Sequence, residues 1–99
     1  MKIINSSIAG TLESSDIQIM IEPKDEAGIE IELSSSVEKQ FGKQVRKVIK
    51  ETLEAMKIEN ARVIANDKGA LDCTIKARVQ CAACRAAGMK ENYDWEVLE

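Results

Sequence analysis

Hydrophobic and polar residues alternate in two stretches of the first third of the chain. Between residues 16 and 23 every second position is an isoleucine, and between residues 28 and 34 two isoleucines and a leucine alternate with glutamates. A period of two is typical of a β-strand with one buried face. Pro23 and the turn-forming residues 24–28 separate the stretches, so the pattern predicts a β-hairpin. Residues 6–12 are predicted to add an earlier edge strand.

A helical pattern follows in the middle of the chain. Apolar side chains recur there at intervals of three and four residues and form one stripe, made of Val37, Phe41, Val45, Val48, Ile49, Leu53 and Met56. This spacing predicts an amphipathic helix that lays its apolar stripe on the sheet.

The C-terminal third fits two interpretations. From residue 71 to 81 apolar and polar residues alternate as in a strand, but the same region also contains a helical stripe. The alanine-rich residues 82–87, followed by Gly88, favour a helix over 72–87. The residues that cover the sheet in that helix are predicted to be Ile75, Val79 and Ala82, with Leu71 just ahead of it.

With a further short strand at residues 61–66, these elements predict a single domain, residues 1–99. Its class is α+β: a small, mostly antiparallel sheet with two helices packed on one face. Residues 88–99 form an acidic C-terminal tail that contains Tyr93 and Trp95. The tail is predicted either to dock on the domain or to bind a partner.

The composition excludes several functional classes. The chain has 99 residues, a formal net charge of −3, and one residue each of Phe, Tyr and Trp. It therefore lacks the basic surplus and the stacking aromatics of a general nucleic-acid binder. It has no histidine, the commonest general base and metal ligand, and no GxSxG or GxxxxGK motif, so a self-contained enzyme is not expected. The absence of a signal peptide and of a long apolar run predicts a cytoplasmic protein without a membrane contact.

Three cysteines occur, and Cys81 and Cys84 have the CxxC spacing of zinc sites and redox motifs. A structural zinc site normally needs four ligands, whereas the chain offers three thiols and no histidine. The surroundings are alanine-rich and predicted to be helical. We therefore predict that both cysteines stay reduced, pack as small apolar residues and bind no metal.

The polar face of the long predicted helix carries four cations on one side. They are Lys43, Arg46, Lys47 and Lys50, which we call the basic stripe. Spacings of three and four residues make them neighbours on the helix surface. Such a cluster is usually a solvated face, and Glu51 and Glu54 neutralise part of it. The alternative is a contact with phosphate groups or with an acidic partner.

The residues before the first alternating stretch, "AGTLESSD" at 9–16, combine three hydroxyl side chains with two carboxylates. Ser and Asp favour tight turns because their side chains hydrogen-bond to nearby backbone. The period of two that follows excludes a helix capped by these serines. The pattern predicts an exposed hydroxyl at a loop tip, a position where rigid scaffolds display functional groups.

Three motifs, "AGTLESSD", "SSVEKQFG" and "DKGALDC", resemble in this order and spacing the citrate lyase acyl carrier protein family, the gamma subunit of that complex. The resemblance covers residues 1 to about 87. It implies that Ser14, directly after Glu13, carries phosphoribosyl-dephospho-coenzyme A through a phosphodiester. The thiol of this group would hold an acetyl thioester.

The same resemblance implies the partners. An alpha subunit exchanges acetyl for citryl, a beta subunit cleaves the citryl thioester to oxaloacetate, and a prosthetic-group transferase loads the carrier. Glu13 and Asp16 are expected to help that transferase recognise the loop. The "CAAC" pair lies outside the motifs that carry the resemblance.

Two other functions stay open on the residues alone. One is a regulatory or adaptor domain without a prosthetic group, phosphorylated within "ESSD". The other is a weak RNA-binding α+β domain that uses the basic stripe. Each predicts a different covalent state of the chain.

Overall fold

Four strands and two helices form the domain. The computed structural model describes residues 2–35 and 38–88, and the tail residues Tyr93 and Trp95 lie outside them. Within these residues the elements are β1 (Ser7–Ala9), β2 (Ile17–Glu22), β3 (Gly28–Ser35), α1 (Glu38–Ala55), β4 (Asn60–Asp67) and α2 (Asp72–Ala86). The α+β class is confirmed, and so is the helix predicted at 72–87. Over the described residues, neither helix is long and apolar enough to cross a membrane.

β4 lies in the middle of the sheet, between β2 and β3. It pairs antiparallel with β2, with Ile17 opposite Asp67, and parallel with β3, with Ser35 opposite the same Asp67. The hairpin predicted for residues 16–34 is therefore wrong, although both of its strands exist. A parallel pair needs a long crossover connection, and α1 supplies it between β3 and β4. β1 pairs antiparallel with β2, so the sheet is mixed but mostly antiparallel.

Both helices cover one face of the sheet, and the core lies between them and the strands. The isoleucines of β2 and the alternate residues of β4 are buried. The helices contribute Val45, Ile49 and Leu53 from α1, and Ile75, Val79 and Ala82 from α2. The strand period of two and the helix period of 3.6 each put apolar residues on a single side. Each buried Val, Leu or Ile contributes roughly 1.5–3 kcal/mol of burial free energy.

Phe41 departs from the predicted packing. The helical stripe places it on the sheet, but it is 52% exposed. Leu71 lies just ahead of α2, as predicted, and is 70% exposed. Helix α1 begins at Glu38, close to the end of β3 at Ser35. Phe41 lies in its first turn, near the end of the sheet, and is partly open to solvent. Val37 lies outside the described residues.

The three cysteines lie in three environments along α2. Cys84 is buried, Cys81 is half-buried against the core, and Cys73 is exposed in the first turn. The packing of α2 against the core thus accounts for the positions of Cys81 and Cys84. The absence of a bound metal stays a prediction.

Candidate functional site

The loop between β1 and β2, residues 10–16, carries the two serines singled out in the sequence. Ser14 and Ser15 form the turn at its tip, and both are exposed. A hydrogen bond of 3.2 Å from the Asp16 N–H to the Glu13 carbonyl closes the turn. Ser15 has a φ of +65°, in the left-handed region that non-glycine residues adopt infrequently. We call residues 10–16 the Ser14 loop.

Asp16 organises the Ser14 loop from within. Its Oδ2 accepts hydrogen bonds from the N–H and the hydroxyl of Thr11, at 3.1 and 2.6 Å. Its Oδ1 accepts a bond of 2.7 Å from the N–H of Ile17. The Thr11 hydroxyl accepts a further bond of 3.2 Å from the N–H of Glu13. These bonds close the base of the loop and leave its tip in solvent.

Arg78 of α2, which lies outside the loop, binds the same carboxylate through two hydrogen bonds. Its Nε donates to Asp16 Oδ1 at 3.1 Å, and its Nη2 donates to Oδ2 at 3.0 Å. Two-pronged pairs of this geometry are strong and directional. The hydrogen bonds from Arg78, followed by that from Thr11, hold the pKa of the Asp16 carboxyl well below its ordinary value of 3.8. The pKa of Arg78 is raised in turn by its hydrogen bond to Asp16.

The loop that joins β4 to α2 forms two backbone hydrogen bonds with the Ser14 loop. The N–H of Ser15 donates to the Lys68 carbonyl at 2.8 Å, and the N–H of Lys68 donates to the Asp16 carbonyl at 2.9 Å. These bonds continue the β2–β4 pairing beyond Ile17 and Asp67. The tip of the Ser14 loop is therefore presented from a base that is fixed by both α2 and the neighbouring loop.

The two acids of the loop lie in different environments. Glu13 is exposed, and its recognition by the transferase stays a prediction. The Asp16 side chain is 14% exposed and is paired with Arg78, so its first role is structural. Arg78 was not predicted as a site residue, although a signal existed. It follows the buried Ile75 by three residues, so the helix places its cation beside the apolar face of α2, where a partner stabilises it.

The basic stripe lies elsewhere on the domain. Lys43, Arg46, Lys47 and Lys50 are all exposed on α1. Lys47 approaches Glu51 at 3.9 Å, with both side chains about two-thirds exposed, and exposed pairs of this kind are weak. The bonds that hold the Ser14 loop come instead from α2 and from the loop after β4.

Asp16→Asn should lower the free energy of unfolding at pH 7 by about 2 kcal/mol, because the charge-assisted hydrogen bonds to Arg78 are lost. The pKa of Asp16 is lower in the folded than in the unfolded chain. Its stabilisation is therefore complete above about pH 4 and disappears as the pH falls further. Urea unfolding should show that the difference in free energy of unfolding between wild type and variant becomes smaller below about pH 4.

Glu13→Gln is the matched control for this prediction. It also removes one carboxylate from the same loop, but from an exposed side chain. It should change the free energy of unfolding by less than about 0.5 kcal/mol. A gap between wild type and Asp16→Asn that stayed constant down to about pH 2 would contradict the role given to the ion pair.

Comparison with known proteins places this loop in a family context. The family model described as ACP, malonate decarboxylase delta subunit (MdcD), matches residues 4–86. A citrate lyase acyl carrier protein of Lacticaseibacillus casei is 58% identical over 98 residues, which cover 99% of this chain and 95% of that protein. Those of Streptococcus mutans and of Vibrio cholerae strain M66-2 are 54% and 52% identical, covering 100% and 99% of this chain and 96% and 99% of those proteins.

A solved structure adds a likeness of fold alone. Homoserine kinase from Cytophaga hutchinsonii superposes with a TM-score of 0.56 at 16% sequence identity. The match covers 93% of this chain and 38% of the kinase chain. The arrangement of strands and helices described above therefore recurs within a larger protein.

Proposed function

The chain belongs to the citrate lyase acyl carrier protein family, and we propose that Ser14 carries its phosphoribosyl-dephospho-coenzyme A group through a phosphodiester. The chain is a non-catalytic carrier subunit. Its proposed partners in the cytoplasm are the alpha and beta subunits of citrate lyase and the transferase that loads it. When bound, the group, which we call the arm, supplies a thiol for acyl transfer between the two catalytic subunits.

The observation that carries the proposal is the exposed Ser14 on a loop whose base is held from two sides. Asp16 is gripped by Arg78, and Lys68 exchanges backbone hydrogen bonds with residues 15 and 16. A bulky group on Ser14 Oγ can extend into solvent without displacing the buried isoleucines of β2. The exposed Lys68 on the adjoining loop adds a positive charge to a neighbourhood that must accept phosphates next to Glu13. The residues present therefore fit the group.

Ser14 is preferred to Ser15 although both are exposed. The resemblance of the motif implies the serine directly after Glu13. Ser15 has a positive φ, and its N–H is bonded to the Lys68 carbonyl, so its backbone is part of the fixed base. Ser14 directly precedes Ser15, and it is exposed at the tip of the loop, outside that fixed base.

The chain's own contribution to catalysis is presentation. A tether turns the encounters with two catalytic subunits into intramolecular events, at an effective concentration of the order of 1 mM. This role requires a stable domain and an anchored hydroxyl, and it requires no general base from the carrier. The absence of histidine from the chain is compatible with such a role.

The intact mass of the protein, produced in a host that has the arm-synthesising and transferase enzymes, tests the proposal. A large covalent adduct that peptide mapping locates on Ser14 is expected. A gain of about 80 Da would instead support the phosphorylated adaptor domain. An unmodified chain would leave RNA binding through the basic stripe as the remaining candidate.

Reversing two charges of the basic stripe, Lys43→Glu with Lys47→Glu, should weaken binding to the catalytic subunits roughly tenfold at low salt, because each exposed ion pair contributes up to about 1 kcal/mol. The loss should shrink as added salt screens the charges. The matched control is Lys24→Glu with Lys76→Glu, which makes the same change in net charge away from the stripe. Equal binding by both double variants at low salt would show that the basic stripe is an ordinary solvated surface.

A further inference from the structure

An apolar groove of about 570 Å³ opens between the first turns of α1 and the loop that leads into α2. Its apolar lining comes from Phe41 and Val45 on one side and from Ala70 and Leu71 on the other. A hydrogen bond of 2.8 Å between the Gln44 amide and the Asp72 carboxylate lies at the groove, and both residues line it. This volume lies within the range of roughly 300–1,000 Å³ that small-molecule sites occupy.

The strand register places this groove at the same end of the sheet as Ser14. Ile17 is opposite Asp67, and Asp67 is opposite Ser35, so β2 begins where β3 and β4 end. Lys68, bonded to the backbone of the Ser14 loop, is the residue immediately before Gly69 of the groove lining. The proposed attachment point and the groove are therefore neighbours along one edge of the domain.

The floor of the groove is preformed. Asp67 is 1% exposed, and its Oδ1 accepts a hydrogen bond of 3.0 Å from the N–H of Ala70. Its Oδ2 accepts a bond of 2.8 Å from the Ser35 hydroxyl. Both bonds come from the chain itself, and they fix the turn after β4 that leads directly to Leu71.

We propose that this groove is the resting site of the arm on Ser14, an inference that rests on the proposed function. The pantetheine part of a coenzyme A group has methyl and methylene segments joined by amides. The apolar walls match those segments. Beyond their mutual hydrogen bond, Gln44 keeps a second amide N–H and Asp72 keeps further acceptor sites for the amides. Docking there covers Phe41 and Leu71 and shields the end of the arm from water between visits to the partner subunits.

Because the arm is tethered, weak binding is sufficient to keep it in the groove. With an effective concentration of the order of 1 mM, a groove that binds the arm with a dissociation constant of about 0.1 mM is filled roughly nine-tenths of the time. Such an affinity still lets the arm leave quickly for a partner. The groove therefore stores the arm without competing strongly against the catalytic subunits.

Cys73 reports on the groove because it is exposed and lines it. Iodoacetamide alkylates this thiol with release of iodide and the thiol proton, and peptide mass mapping follows the rate. In the chain loaded on Ser14, Cys73 should react about tenfold more slowly than in the unloaded chain, as expected for nine-tenths occupancy. Cys81, half-buried further along α2, should react at the same rate in both forms and serves as the internal reference.

Leu71→Asp is the variant that should release the arm. Leu71 is 70% exposed, so the change costs little stability, and the protection of Cys73 on loading should fall below about twofold. Ile8→Asp, the matched control, makes the same change at an exposed apolar residue of β1, and it should keep the tenfold protection. Protection that survives in Leu71→Asp would overturn the inference.

The remaining outcomes separate this inference from the proposed function. An adduct on Ser14 without protection of Cys73 overturns the resting site alone. A chain that gains no adduct overturns the proposed function and the resting site with it. Protection of Cys73 that grows with the concentration of unloaded protein assigns the groove to a second copy of the chain, and also overturns the inference.

Discussion

Ser14→Ala should give a carrier that folds normally, gains no adduct, and supports no citrate cleavage in the assembled complex. The exposed hydroxyl contributes little to stability, so the free energy of unfolding should change by less than about 0.5 kcal/mol. The loss of function should nevertheless be complete, because a methyl group cannot form the phosphodiester. Intact mass, urea unfolding and the rate of citrate cleavage measure the three parts of this result.

Ser15→Gly is the control for this prediction. It also removes one hydroxyl from the tip of the Ser14 loop, and glycine tolerates the φ of +65° at that position. It keeps the N–H that donates to the Lys68 carbonyl. The control should be loaded and active. An active Ser14→Ala complex, or an adduct mapped to Ser15, would end the assignment of Ser14.

Gly10→Ala should destabilise the domain by about 3 kcal/mol or more, the largest stability effect that we expect from a single methyl group. Gly10 begins the Ser14 loop with a φ of +91°, and a Cβ at this position would lie 1.9 Å from the Ile17 carbonyl oxygen. That oxygen belongs to the first residue of β2, so relief requires the backbone of β1 or β2 to move. Thermal and urea unfolding should both show the loss, and loading of Ser14 should decline with it.

Gly69→Ala isolates the steric part of this effect. Gly69 also has a φ of +91°, but nothing lies within 4 Å of an added Cβ. Its substitution should cost only the backbone strain, about 1 kcal/mol. The difference of about 2 kcal/mol between the two variants measures the close approach to β2. Equal losses in both variants would show that the close approach to Ile17 adds no steric cost to the backbone strain at Gly10.

The local pattern of the sequence was sufficient for the elements and for most of their faces. Isoleucines at every second position predicted the buried side of β2, and spacings of three and four predicted the helices, because burial on one side imposes those periods. The turn chemistry of "ESSD" predicted an exposed serine at a loop tip, where the structure places Ser14. Where two periods coincided, after residue 71, the alanine-rich end correctly favoured the helix.

The order of the strands was decided only in three dimensions. A period of two says which side of a strand is buried but not which strand lies beside it. β2 and β3 both pair with β4, which is more distant in the chain, so the expected hairpin did not form. Phe41 fits the apolar stripe of α1 by spacing, yet it is 52% exposed. The spacing fixes the direction in which a side chain points, whereas the extent of the sheet beneath it depends on where the strands end.

The sequence by itself thus determined the elements, the buried faces and the exposed hydroxyl, all of which depend on residues close together in the chain. The tertiary structure alone decided what holds that hydroxyl in place. Asp16 and Arg78 are 62 residues apart, and the groove beside the Ser14 loop joins the start of α1 to the start of α2. Contacts over such separations leave no periodic signal, because they depend on how the elements pack and not on how each one forms.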